Sequence, residues 1–166
     1  MDTQFENTTI QTKEILRQAA ACIMRKKLII HAVVLLTLGI GFLIFVLFKG
    51  TDAAYFFGIA FSFACISIAI YRFDSVPKKF AERTYSNQLK LFKEPATLVV
   101  SVRAQTLSVE NRQQNSLHTY SFSECVKLLE NKAVVVLKTE KKTYILLDKA
   151  GFTKGTAEDF VALLRR

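Results

Sequence analysis

Two apolar runs, residues 28–48 and 53–71, separated only by Lys49-Gly50-Thr51-Asp52, constrain this chain more than any other feature. The first has 21 residues, with His31 as its one strongly polar member; the second has 19 and no charge. At about 1.5 Å of rise per helical residue, each covers roughly the 30 Å of a bilayer's hydrocarbon core. Backbone amides in lipid must bond within their own segment, so each run is expected to be a helix. A four-residue link then leaves only an antiparallel hairpin.

Basic residues orient that hairpin. Arg25, Lys26 and Lys27 precede the first run and Arg72, Lys78, Lys79 and Arg83 follow the second, whereas Lys49 in the connection is balanced by Asp52. The positive-inside rule places both termini in the cytoplasm. Tyr55, Phe56 and Phe57 at one end of the second run and Tyr71 at the other suit interfacial aromatic belts. The competing interpretation, a buried hairpin of a soluble protein, fits poorly with helices apolar all round and cations at the same end of both. A cleaved signal peptide is not expected, because 24 residues precede the basic cluster and no small-x-small site follows the first run.

The charge lies outside the runs. Residues 1–27 carry +5 and −3, residues 28–71 carry +1 and −1, and residues 72–166 carry +17 and −10. The lipid bilayer is thus the first expected partner, with anionic head groups attracted by the basic juxtamembrane residues at about 1 kcal/mol for each nearby Lys or Arg. The cations are dispersed and match no recognition motif, so nucleic acid is not an expected partner. Cys22, Cys65 and Cys125 are far apart and have no histidine at ligand spacing. Neither a disulfide framework nor a metal site is expected, and no cofactor. Cys22, beside the basic segment, is a palmitoylation candidate of low specificity.

Before the hairpin, residues 1–7 read as unstructured. A helix capped by Thr8 or Thr9 follows, with Ile15, Leu16, Ala19, Ala20 and Ile23 at helical spacing. This amphipathic segment either lies on the membrane surface or packs on the soluble part; sequence does not choose. In the second run Gly58, Ser62, Cys65 and Ala69 form a small-residue stripe that lets another helix approach closely, with Gly39 and Gly41 placed to face it. Packing within the hairpin is the expected use, and a homodimer seam the alternative. His31 has no carboxylate partner in either run, which leaves a transporter mechanism without parts.

After Tyr71, Pro77 suits the first turn of a new, basic juxtamembrane helix over 72–94, which Pro95 forces to end. From residue 96 the hydrophobic period becomes two. Strands are expected at 98–102, 106–110, 117–122, 125–130, 133–138 and 143–147, then a helix opened by Thr156 with Asp159 three residues on and Ala157, Phe160, Val161 and Leu164 on one face. The fold class is therefore an α+β membrane protein: a two-helix transmembrane hairpin, then a small antiparallel domain over 95–166 with a C-terminal helix. So short a domain is expected to hold neither two sheets nor two cores.

The stretch Tyr120-Ser121-Phe122-Ser123-Glu124-Cys125-Val126-Lys127, then Ala133-Val134-Val135-Val136-Leu137 and Tyr144-Ile145-Leu146-Leu147-Asp148-Lys149-Ala150-Gly151-Phe152, resembles the YcxB-like family of bacterial membrane proteins. Phe122 stands where that family often has Trp, and Asp148 where it commonly has proline. The resemblance covers residues 97–166 by motif and the hairpin by architecture. It implies a bacterial inner-membrane protein with a cytoplasmic domain similar to bacterial pleckstrin-homology-like domains, a bent sheet capped by a helix. It carries over no catalytic residues.

Catalysis is not expected. His118 is the one histidine after the hairpin, nucleophile-elbow, phosphate-loop and dinucleotide motifs are missing, and Glu124 and Glu130, the nearest thing to a carboxylate pair, read as a solvated face. The expected function is a membrane-anchored interaction or regulatory module that binds an unidentified protein partner. Lys138, Lys141 and Lys142, crowded at one hairpin turn, are its candidate basic contact patch. The alternative is a small accessory or immunity-type protein acting through the Gly58/Ser62/Cys65/Ala69 stripe within the bilayer.

Overall fold

The structure, a computed structural model, describes residues 3–49 and 52–165, so Gly50 and Thr51 of the hairpin connection lie outside the described residues. The chain divides into two compact units, Met24–Lys78 and the pair of segments Met1–Ile23 and Lys79–Arg166. The boundary expected at residue 95 is thus replaced by a discontinuous domain, with the hairpin inserted between its two parts.

Two helices run through both units: α1 (Lys13–Lys49, 37 residues) and α2 (Asp52–Phe92, 41 residues). Each is long and apolar enough to cross a membrane. Both are single elements where sequence suggested breaks. The expected amphipathic segment before residue 28 is the first part of α1, which begins at Lys13 rather than after Thr8 or Thr9. Thr12 Oγ1 accepts the Ile15 N–H at 3.3 Å there. The separate helix expected from Pro77 is also absent, because Pro77 lies inside α2. A proline there removes the one hydrogen bond to the Phe73 carbonyl, and the good helix formers Lys78, Lys79, Ala81, Glu82 and Arg83 carry the helix on past that gap. Helix α2 ends before Pro95 as expected, with Lys93 in the left-handed region at φ 62°.

Within Met24–Lys78 the two helices meet along small residues, and their outer surfaces are apolar. Phe56, Phe57 and Phe63 are 78%, 73% and 67% exposed, and Val33, Ile40 and Phe45 are likewise exposed.

The other unit is built from eight strands: β1 (Phe5–Ile10), β2 (Thr97–Arg103), β3 (Thr106–Asn111), β4 (Ser116–Ser121), β5 (Cys125–Glu130), β6 (Val134–Thr139), β7 (Tyr144–Asp148) and β8 (Phe152–Lys154), closed by α3 (Ala157–Leu164). The strands form two antiparallel sheets, ordered β4-β3-β2-β1-β8 and β5-β6-β7. The principal core lies between them. Val100, Val102, Leu107 and Val109 come from the larger sheet and Val135, Leu137, Ile145 and Leu147 from the smaller, with Phe160 and Val161 of α3. Thr156 caps α3 by accepting the Asp159 N–H at 3.1 Å, as expected.

Two expectations about this unit fail. Residues 5–7 are not part of an unstructured lead-in, for β1 pairs with both β2 and β8 inside the larger sheet; residues 1–2 lie outside the described residues. Nor is there a single sheet with one core. A second buried cluster lies on the other face of the smaller sheet, where Leu16 and Ala19 of α1 and Ala81 of α2 pack on Val134, Val136 and Leu146. The chain before the hairpin and the last turns of α2 supply the extra layer that residues 95–166 alone lack. Strand β6, covered on both faces, is consequently apolar without alternation from Val134 to Leu137, as buried strands are. The same packing settles the amphipathic segment in favour of the sheet.

Candidate functional site

The small-residue stripe lies in the seam of the hairpin. Gly58, Cys65 and Ala69 are buried and Ser62 is half-buried. A Cβ added to Gly39 would meet the Cys65 Cβ at 3.3 Å, and one added to Gly58 would meet the Val46 Cβ at 3.3 Å. Ser62 Oγ lies 2.9 Å from both the Gly39 and the Gly58 carbonyl oxygens, which share its one proton. Gly41, expected to face the stripe, instead has open space around it. Glycine and serine therefore bring the two backbones together, and the contact is intramolecular.

Lys138, Lys141 and Lys142 are gathered at the β6–β7 turn. Thr139 ties the turn, its N–H donating to the Thr143 carbonyl at 2.9 Å and its Oγ1 accepting the Thr143 N–H at 3.2 Å. Lys142 takes up the left-handed conformation at φ 61° and donates its N–H to the Thr139 carbonyl at 3.0 Å. Sequence missed a fourth member. Lys127 sits directly opposite Lys138 in the β5–β6 ladder, after a register shift between Cys125 and Lys127. Tyr144, the partner of Lys138 on β7, is 42% exposed. Like charges placed opposite one another weaken a sheet, and here the exposed Lys127 faces the half-buried Lys138 beside an aromatic ring. The bulge that creates the pairing leaves no trace in residue periodicity.

Glu124 and Glu130 are not brought together. They flank β5, about 20 Å apart at the usual strand rise. Glu130 accepts from Arg165 at 2.6 Å and from Lys149 at 3.3 Å, while Glu124 accepts the Ser121 N–H at 2.7 Å. Cys125 is half-buried, and burial together with the adjacent Glu124 charge pushes its thiol above the ordinary range, away from a reactive thiolate. Among the described residues there is no metal-ligating cluster.

A cleft of about 500 Å³ opens at one end of the space between the sheets. Asn111, Ser116, His118 and Tyr120, on the core-side face of β3 and β4, line one wall; Lys141, Thr143, Tyr144 and Ile145 line the other. Register explains this wall. His118 is opposite Val109 and Tyr120 opposite Leu107, so the two side chains share the face of two core residues. The larger sheet has five strands and the smaller three, so part of the larger sheet's inner face is uncovered. The sequence signal was Ser116-x-His118-x-Tyr120, polar and aromatic residues at positions where alternation predicts core.

No protein-family model, no curated protein and no solved structure matches the chain.

Proposed function

We propose that this protein is a membrane-anchored, non-catalytic interaction module. The α1–α2 hairpin crosses the bilayer, both termini are cytoplasmic, and the two-sheet domain recognises its partner there. The observation that supports this reading over action within the bilayer is the stripe: Gly58, Ser62 and Cys65 are already engaged by α1 of the same chain, and Ala69 is buried. A seam filled from within leaves this stripe covered, which argues equally against a homodimer through it. The exposed apolar surface around the seam calls for lipid, and Arg25, Lys26 and Lys27 at its base suit anionic head groups of the cytoplasmic leaflet. A YcxB-like membership and a bacterial inner-membrane location belong to the same proposal and rest on the motif resemblance.

The partner in this reading is a protein with an acidic surface, met by Lys127, Lys138 and Lys142 around Tyr144. Crosslinking and pull-down from native membranes tests it, comparing the wild-type chain with the triple variant Lys127→Gln, Lys138→Gln, Lys142→Gln. Loss of crosslinked partners with unchanged membrane content of the protein is the expected result. Retention of the same partners would move recognition into the hairpin. Ser62→Leu and Cys65→Phe do not separate the two readings, because both disrupt the hairpin's own packing.

A further inference from the structure

We infer that the cleft between the two sheets is a binding site for a small soluble anion carried on a flat ring, a phosphate monoester of an aromatic or heterocyclic body. Its lining supplies one cation, Lys141, one imidazole, His118, and hydroxyl and amide groups from Ser116 and Asn111, and it contains no carboxylate. That set donates hydrogen bonds to an anion and repels none. The Tyr120 ring, packed against the inter-sheet core, stands beside the His118 imidazole with centroids 6.5 Å apart, an aromatic wall that suits a planar ligand body. The volume of about 500 Å³ falls inside the range of small-molecule sites, roughly 300–1,000 Å³.

An independent observation points the same way. Ser116 Oγ is buried and has no hydrogen-bond partner, the one such side-chain atom among the described residues. Buried hydroxyls are ordinarily satisfied. Ser116 lines the cleft, and a ligand oxygen seated beside it provides the acceptor or donor that the protein does not. On the inner face of the edge strand β4, Ser116 and Tyr120 are half-buried and His118 is exposed, so these groups are open to a ligand that enters from solvent.

This inference rests on the reading that the two-sheet domain is the recognising part. It is tested on the full chain in nanodiscs of zwitterionic lipid, with labelled histidine and adenosine 5′-monophosphate as the probe. The chain has two histidines; His118 reports on the cleft, and His31, inside the apolar run of α1, is the internal reference. Saturable movement of the His118 resonance alone is expected at millimolar probe, with adenosine and inorganic phosphate each binding more weakly. Lys141→Gln should weaken binding about tenfold, the loss of one charge-assisted hydrogen bond, and Ser116→Ala should weaken it less. Lys142→Gln, at the same turn but outside the lining, should leave it unchanged.

No movement of His118, equal effects of the two lysine variants, or movement that appears only when anionic lipid is added would each overturn the proposal. The last outcome would assign the cleft to lipid head groups. A negative result here, alongside partner loss in the Lys127/Lys138/Lys142 variant, removes the ligand site and leaves the interaction module standing; retention of partners in that variant removes the module instead.

Discussion

Thr9 and Asn7 link the two sheets from positions that sequence reads as a helix cap and the end of an unstructured segment. Both side chains are fully buried. Thr9 Oγ1 donates to Asn7 Oδ1 at 2.6 Å and accepts the Asp148 N–H at 2.7 Å, and Asn7 Nδ2 donates to the Asp148 carbonyl at 2.7 Å. One network thus links β1 of the larger sheet to the end of β7 in the smaller. Thr9→Val keeps the shape but leaves Asn7 Oδ1 and the Asp148 N–H without partners, and should destabilise the domain by about 1–3 kcal/mol; chemical unfolding of the full chain in micelles, followed by circular dichroism, reads it. An unchanged midpoint would mean that the network contributes nothing net. These two residues also explain why β1 was illegible. In Phe5-Glu6-Asn7-Thr8-Thr9-Ile10 the inward positions 7 and 9 are polar, so hydrophobic alternation carries no signal. What marks the strand is hydrogen bonding to a segment 139 and 141 residues away, which no local pattern encodes.

At the scale of elements, β2 to β7 and the capped α3 were legible because periodicity and capping are local, whereas the three-residue β8 is too short to show a period. Helix continuity was not legible either. Pro77 and the polar stretch before Leu28 look like boundaries, yet the helix persists through both. The run Ala133-Val134-Val135-Val136-Leu137 is legible in retrospect as a strand covered on both faces, since neighbouring residues enter different cores: Val135 and Leu137 the one between the sheets, Val134 and Val136 the one under α1 and α2. Val135→Ala and Val136→Ala should therefore destabilise by similar amounts, about 1–3 kcal/mol each. Val99→Ala, at a half-buried position of β2, should cost clearly less. A strong alternation between Val135 and Val136 in the same unfolding measurement would contradict the second core. The candidate cleft belongs to this scale too, as a consequence of a five-stranded sheet facing a three-stranded one; pairing counts of that kind are invisible until the chain folds.

For the molecule as a whole, the domain is assembled from chain on both sides of the hairpin, so β1 cannot reach its place between β2 and β8 until both helices have been made. A chain truncated after residue 94 leaves β1 without either neighbour and uncovers Leu16, Ala19 and Ala81, which is why full-length point variants are the instruments of choice. In the proposed topology the hairpin crosses the membrane with the two-sheet domain on the cytoplasmic side. Its most direct test introduces Glu158→Cys on the exposed side of α3 in a Cys22→Ser, Cys125→Ser background and labels it with a membrane-impermeant maleimide. Labelling is expected in inside-out vesicles, and in right-side-out vesicles only after permeabilisation. Labelling of intact right-side-out vesicles would put the domain on the opposite face, and release of the protein by alkaline carbonate would show that the hairpin does not cross at all.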